Sequence, residues 1–165
     1  AWVRNDLERD YYDTEWGVPV TDERGMLERV CLEGFQSGLS WYTVLVKRPA
    51  FRELFANFVP DALVKFTNDN VERLLQDERI IRNRLKVQAA IFNARQIRQL
   101  QQQYGSFKNW LDAHHPRSQE AWVKLFKQHF KFVGSEIVGE FLLSTGYLAG
   151  AHEKSCPQYR QPEKA

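Results

Sequence analysis

The residues best suited to chemistry lie in CLEGFQSGLSW, residues 31–41, where the Glu33 carboxylate stands among apolar neighbours and a turn leads to Trp41. The N-terminal segment adds further aromatic rings: Trp2, Tyr11, Tyr12 and Trp16. A carboxylate beside aromatic rings suits a flat, electron-poor or cationic ring, because stacking and cation–π attraction hold its faces. The carboxylate can accept hydrogen bonds from the ring's edge and balance its charge. The alternative is a solvated or salt-bridged Glu33 at a helix border, with the aromatic residues serving as core.

A second unit is FKFVGSEIVG, residues 130–139, in which a glycine turn leads directly into a predicted helix. Free N–H groups at a helix N-terminus suit a phosphate, and Lys127 and Lys131 lie just before this one. The alternative is an ordinary helix–helix connection in which Gly134 supplies an unusual φ angle.

Other motifs are weaker. The chain has no Gly-x-Ser-x-Gly, P-loop or dinucleotide fingerprint. His152 and Cys156 have a spacing that can hold a metal, but zinc needs four ligands, or three and a water. Two ligands do not make a site.

The length of the chain suits one compact domain or two small lobes. The 165 residues are 43% hydrophobic and 13% aromatic, enough for a core. Two distant cysteines exclude a disulfide framework, and no signal peptide or membrane-spanning run is visible. We expect a soluble, intracellular protein. The chain opens at Ala1 without a methionine, which leaves room for residues before it.

The chain is weakly basic, with a net charge of +2 and a pI of about 8.6. Its distribution is one-sided, since residues 79–111 contain basic side chains and no Asp or Glu. Such a distribution can guide a polyanion to one face, although a solvated helix face would show the same pattern.

The apolar spacing predicts an all-α fold, because two-residue alternation is almost absent. Residues 1–20 are expected to be mostly loop. A helix is predicted from Thr21 or Asp22 to about Ser37, with Glu33 at the border of its apolar side. Further helices are predicted to begin near Pro49, Pro60, Thr67, Asn83, Ser106, Ser118 and Ser135, the last with Ser135 as its cap.

Four runs together resemble the bacterial 3-methyladenine DNA glycosylase I family, a branch of the helix-hairpin-helix glycosylases. They are YYDTEWGVP (11–19), LEGFQSGLSWYTVLVKR (32–48), IIRNRLKVQAAIFNAR (80–95) and FKFVGSEIV (130–138). Weaker similarity continues through GYLAGAHEKSC, so the resemblance covers nearly the whole chain.

The resemblance implies a two-lobed helix-hairpin-helix glycosylase fold, with one domain over residues 1–165 and the hairpin lobe within about 60–146. The N-terminal aromatic segment and the C-terminal tail would pack together. Such an enzyme flips an adenine methylated at N3 out of duplex DNA and hydrolyses its glycosidic bond, leaving an abasic site.

The resemblance also implies which residues form the site, because each lies at a position that matches one of the family's motifs. Glu33 matches the family's pocket carboxylate and Tyr11 its pocket tyrosine, and the resemblance implies that these two are the catalytic residues. Trp41 matches the residue that stacks on the flipped base. Trp2 and Trp16 match pocket walls. The remaining matches are DNA contacts: Gly38 and Leu39 in the loop that probes the duplex, and Lys131, Gly134 and Ser135 in the hairpin that grips a phosphate.

The chemistry agrees with this assignment. N3-methyladenine is cationic and already a good leaving group, so the enzyme needs little acid–base power, and Glu33 should favour the cationic base over neutral adenine. The catalytic Asp of the wider superfamily has no counterpart in residues 148–151, and Glu153 is poorly placed to replace it. No lysine is placed as a lyase nucleophile. We therefore expect a monofunctional hydrolase.

One departure concerns a structural zinc, usual in the family and held by two Cys and two His. His152 and Cys156 match half of that site. Tyr12 replaces a ligand His, however, and the other Cys would lie before Ala1. We therefore predict no zinc and no other cofactor.

Three functions remain in competition. The first is an active glycosylase acting as a cytoplasmic monomer on double-stranded DNA with alkylated bases. The second is a non-catalytic module of the same fold that reads damage without cutting, which the lost zinc half-site favours slightly. The third is a plain helical interaction protein, which would show no salt-dependent DNA binding.

Overall fold

The computed structural model describes residues 3–18, 20, 22–36 and 38–148. In these residues every regular element is a helix, which confirms the all-α prediction. None of these helices combines the length and apolar character needed to cross a membrane. The elements are α1 (Asp6–Thr14), α2 (Glu23–Gln36), α3 (Trp41–Leu54), a 3-10 turn (Ala56–Phe58), α4 (Pro60–Leu63), α5 (Asn68–Leu74), α6 (Arg84–Tyr104), α7 (Phe107–His114), α8 (Gln119–His129) and α9 (Ser135–Thr145).

Helix α2 lies at the centre of the molecule and packs against α3, α6, α7 and α9. Its Met26, Leu27 and Phe35 side chains are almost completely buried and belong to one apolar cluster that extends from α2 to α9. Because helices surround α2 on several sides, a polar residue on it has little access to water. Glu33 is 2% exposed, so it lies well inside the border position predicted for it.

The prediction of loop over residues 1–20 is wrong for α1. The Asn5 side chain caps this helix by accepting a hydrogen bond from the Glu8 N–H at 2.9 Å. The helix packs against α3 and buries Tyr11. An N-cap asparagine followed by acidic residues is a normal helix start, and packing of the aromatic side holds the short helix in place.

The expectation that Pro49 begins a helix is also wrong, because α3 runs through it without a break. A proline inside a helix removes one hydrogen bond and costs about 3 kcal/mol. The buried side chains of Val44, Leu45 and Phe51 lie on both sides of the proline, and burying each is worth about 1.5–3 kcal/mol. Packing therefore outweighs the local cost.

The other predicted helix starts agree with the structure to within one residue or so. Asn83, Ser106 and Ser118 cap α6, α7 and α8 through their side chains. At α9 the cap is Gly134, and Ser135 is the first helical residue, so the predicted Ser135 cap is displaced by one position.

Candidate functional site

The end of α2, the start of α3 and one face of α9 enclose a cavity of about 560 Å³. Its described lining residues are Trp16, Glu33, Gln36, Trp41, Gln119, Glu136, Gly139, Glu140 and Leu143. The cavity thus brings together three residues that the sequence singled out, Trp16, Glu33 and Trp41, although they lie on three different segments.

Glu33 is the most deeply buried acidic residue of this cavity. Its Oε1 atom is buried and has no hydrogen-bond partner among the described residues. The pKa of Glu33 is raised to about 8, chiefly by burial; the charge of Arg29 opposes this rise, and the charge of Glu140 contributes to it. Burying a carboxyl group with an unpaired oxygen is unfavourable, and groups of this kind cluster at functional sites, which makes Glu33 a candidate for contact with a ligand.

Aromatic rings form the wall beside Glu33. The Tyr11 ring centroid lies 5.3 Å from that of Trp41 and 6.4 Å from that of Trp16, both at tilted angles. The Trp41 Nε1–H is buried without a partner in the described residues. Tyr11 is 2% exposed and lies behind the two indoles, outside the set of described residues that line the cavity. Trp2 lies outside the described residues.

A buried cation supports this wall from behind. The Arg29 guanidinium lies 5.2 Å from the centroid of the Tyr11 ring, within cation–π range. Arg29 also donates to the Ser144 carbonyl at 3.2 Å and lies 3.8 Å from the Glu15 carboxylate. Burial raises the pKa of the Tyr11 hydroxyl far above its usual range, so the phenol stays neutral even with Arg29 nearby.

The turn between α2 and α3 presents the predicted probing residues to solvent. Gly38 has a φ of +78°, which favours glycine, and both Gly38 and Leu39 are exposed. Gln36 stabilises the turn by donating from its side-chain amide to the Leu39 carbonyl at 2.7 Å. Ser40 then caps α3, so Trp41 is the first residue of a helix and its position is tied to the turn.

The hairpin between α8 and α9 is held by Asn93 of α6. The Asn93 side chain accepts from the Lys131 N–H at 2.8 Å and donates to the Lys131 carbonyl at 2.9 Å. Gly134 has an ordinary φ of −64°, so it is not present for its φ angle. Phe132 instead adopts a φ of +55°, which costs a non-glycine residue about 1 kcal/mol or more. Strain of this kind persists only where neighbouring contacts fix the turn.

The predicted phosphate contacts lie on this hairpin. Lys131, Gly134 and Ser135 are all exposed. The Lys131 ammonium lies 4.3 Å from the centroid of the Phe92 ring, which keeps it at the surface of the hairpin. Gly134 and Ser135 form the N-terminus of α9, and one face of this helix lines the cavity from Glu136 in its first turn to Leu143 near its end.

The predicted metal remnant falls mostly outside the described residues, which end before His152 and Cys156. Tyr12 is described, and its half-buried ring packs against the cluster of Tyr11, Trp16 and Leu45. Among the residues that the structure describes, no three His, Cys, Asp or Glu side chains are grouped so as to hold a metal ion.

Sequence reasoning missed four kinds of site residue: Arg29, Asn93, Gln119, and the pair Glu136 and Glu140. Their helices could be predicted, but their proximity to the cavity or hairpin depends on how α2, α6, α8 and α9 pack. Gln119 and Gly139 show this well. A Cβ on Gly139 would lie 2.7 Å from the Gln119 amide nitrogen, so the absent side chain leaves room for Gln119.

Known proteins similar to this chain are DNA glycosylases. The sequence profile of the methyladenine glycosylase family matches residues 2–119. The chain is 39% identical over 179 residues to DNA-3-methyladenine glycosylase 1 of Escherichia coli K12, covering 96% of this chain and 95% of that protein. It is 33% identical over 167 residues to DNA-3-methyladenine glycosylase of Haemophilus influenzae, covering 90% of each.

Solved structures are similar as well. A crystal structure of 3-methyladenine DNA glycosylase I matches with a TM-score of 0.86 at 37% identity, over 96% of this chain and 97% of that one. The Staphylococcus aureus enzyme, solved to explain 3-methyladenine recognition, matches with a TM-score of 0.84 at 27% identity, over 98% and 95%.

Proposed function

This chain belongs to the methyladenine glycosylase family, and on that premise we propose that Glu33, Trp41 and Trp16 form the pocket in which it binds and excises 3-methyladenine. It is a monofunctional DNA-3-methyladenine glycosylase. The observation that carries the pocket assignment is the buried Glu33 carboxyl, which lines a cavity with two indole rings and has no partner in the described chain.

The substrate supplies the positive charge and the hydrogen-bond donor that the Glu33 carboxyl lacks in the empty pocket. An adenine methylated at N3 in DNA carries a positive charge, and a cation beside Glu33 favours the ionised carboxylate and offsets its burial. The face of the base can stack on Trp41, and its amino edge can donate to Glu33. A normal adenine is neutral and would leave the carboxyl protonated or uncompensated, so the pocket discriminates by charge.

The reaction requires little from the protein beyond this. The bond between the sugar C1′ and the base N9 breaks, and the base leaves as neutral 3-methyladenine because its positive charge accepts the bonding electrons. Water adds to C1′ and loses a proton, which leaves an abasic site. The residues Tyr11 and Arg29 keep the pocket wall in place and do not exchange a proton in this scheme.

The proposed DNA contacts lie on two exposed turns. Gly38 and Leu39 would enter the space left by a flipped nucleotide, and the hairpin with Lys131, Gly134 and Ser135 would hold a backbone phosphate. The Asn93 hydrogen bonds support this role, since they fix the backbone from which Lys131 projects. We further propose that the protein acts on double-stranded DNA as a cytoplasmic monomer.

The experiment that tests this function is base release from a methylated duplex, with the freed purines separated by chromatography. We expect release of 3-methyladenine and a resulting abasic strand that breaks only on alkaline treatment. Tight binding to an abasic duplex without release would identify a damage-reading module instead. Absence of salt-dependent DNA binding would reject both and leave a protein-interaction role.

We also propose that this protein folds without the structural zinc of its family, because the donor set does not fit. Tyr12 offers a neutral phenol packed among aromatic rings where an imidazole is needed. The N-terminal segment is held by other contacts. Arg48 donates two hydrogen bonds to the Glu15 carboxylate, at 2.8 and 2.5 Å, and the Gly17 N–H donates to the Ser144 carbonyl at 2.7 Å.

We therefore expect purified protein to contain well under one zinc ion per chain and to keep its melting temperature in the presence of a chelator. The physical reason is that the Glu15–Arg48 pair links α1 to α3 without a metal. Elemental analysis and thermal unfolding measure the two quantities, with His152→Ala as a control that should behave like wild type. About one bound zinc ion, or a lower melting temperature after chelation, would overturn this proposal.

A further inference from the structure

The wall that α9 contributes to the cavity is acidic. Its lining residues, Glu136, Gly139, Glu140 and Leu143, recur at helical spacing and so lie on one face of the helix. Together with Glu33, three of the described residues that line the cavity are glutamates, and none is Lys, Arg or His. Two separate helices, α2 and α9, therefore place acidic side chains around the same space.

These carboxylates are not neutralised by the described part of the protein. Glu136 and Glu140 are both exposed and neither forms a salt bridge there, so water alone solvates their charges, whereas Glu15, Glu28 and Glu72 each pair with an arginine. The charges that face Glu33 are Glu140 and, in opposition, Arg29, which is already engaged with Glu15 and the Ser144 carbonyl.

An uncompensated acidic wall is unfavourable in a protein that must approach a polyanion. Each such charge repels phosphate and weakens binding to any duplex, which is the opposite of what the basic hairpin achieves. The wall also hinders ionisation of Glu33 in the empty pocket. Its presence is explained if the ligand that enters the pocket carries a positive charge, since attraction to that ligand reverses the sign of both effects.

We propose that Glu140, with Glu136 beside it, is a specificity-determining residue that makes the pocket prefer cationic alkylated bases over neutral bases of the same shape. This inference rests on the proposed function, because it concerns the same pocket. It adds a second source of discrimination, on α9, to the carboxylate of Glu33 on α2. Glu140 acts through its charge across the cavity, and no bond is made or broken by it.

The test compares two duplexes that differ in the charge of one base. The first contains N3-methyladenine, and its single-turnover excision gives a maximal rate and a half-saturating protein concentration. The second contains 3-methyl-3-deazaadenine, which is neutral, and the dissociation constant of the protein from this duplex is measured. Measurements at about pH 9, above the pKa of about 8, favour the ionised carboxylate of Glu33.

Glu140→Gln should raise the half-saturating concentration for the cationic duplex roughly 3- to 10-fold and leave binding of the neutral duplex unchanged or tighter. The double variant with Glu136→Gln should show a larger effect. Glu120→Gln is the matched control, because Glu120 is exposed in the groove beside the cavity and its loss changes net charge equally. This control should change the affinity of the protein for the two duplexes by the same factor.

Equal effects of Glu140→Gln on the two duplexes would overturn the proposal and assign Glu140 only a general effect on DNA binding. Weaker binding to both would indicate a structural role and would overturn it as well. Failure of the proposed function is distinguishable from either result, because wild type would then release no base at all.

Discussion

Replacing Glu33 with glutamine is expected to lower the excision of 3-methyladenine on the order of 100-fold or more while the fold is retained. The substitution keeps the shape and one hydrogen-bond acceptor but removes the negative charge that faces the cationic base. Loss of a preorganised electrostatic group in a water-poor site typically costs a factor of this size. Single-turnover base release from methylated duplex DNA measures the effect.

Two controls make this result specific. Circular dichroism should show unchanged helix content, because the glutamine side chain would fill the same buried volume. Glu120→Gln, which removes an exposed carboxylate outside the described cavity wall, should excise at close to the wild-type rate. Excision by Glu33→Gln within a few-fold of wild type would remove Glu33 from the reaction and redirect attention to the α9 carboxylates.

The same Glu33→Gln protein is expected to be more stable than wild type at alkaline pH. The pKa of the Glu33 carboxyl is about 8 in the folded chain, against an ordinary value of 4.5. Between these values the folded state binds more protons than the unfolded state, so this group's contribution to stability falls as pH rises through about 8. Glutamine removes that loss, and the gain should reach on the order of 2–4 kcal/mol at pH 9.

Urea unfolding at about pH 5 and pH 9 measures this difference, which should be small at the lower pH. Glu28→Gln provides a control of opposite sign on the same helix. Burial tends to raise the pKa of Glu28, but a hydrogen bond from Arg52 and the charges of Arg48 and Arg52 hold it below its usual range. Its stabilisation is present above about pH 4.5, so Glu28→Gln should destabilise the protein at pH 9. A loss of stability in both variants at pH 9 would contradict the assigned Glu33 pKa.

Local signals were sufficient to predict most of the fold. Ser106 and Ser118 carry their caps in the sequence, and Gly105 ends α6 with a positive φ that glycine allows. The start of α1 was equally visible, since Asn5 precedes Asp6 and Glu8, but the aromatic residues and the glycine after the helix obscured it. The continuous α3 could not be predicted locally, because packing on both sides of Pro49 decides it.

Some residues of the candidate site could also be predicted from local sequence, whereas others depend on how the helices pack. Glu33 and Trp41 lie eight residues apart, and the motif that joins them is enough to associate them. Arg29 and Glu140 reach the pocket region only because α2 packs on α9, and no short-range pattern indicates that contact. The sequence pattern places Glu33 only at a helix border for the same reason, since neighbours on several sides of α2 bury a position that one helix face alone would leave half-exposed.

The placement of the tryptophans has a spectroscopic consequence. Trp16 and Trp41 line the cavity proposed to hold the base, whereas Trp110 and Trp122 are 1% and 0% exposed inside α7 and α8. The described indoles therefore emit as two populations: one that a stacked purine can quench, and one that it cannot reach. Intrinsic fluorescence of the unlabelled protein thus reports pocket occupancy directly, with the α7 and α8 indoles as an internal reference in the same molecule.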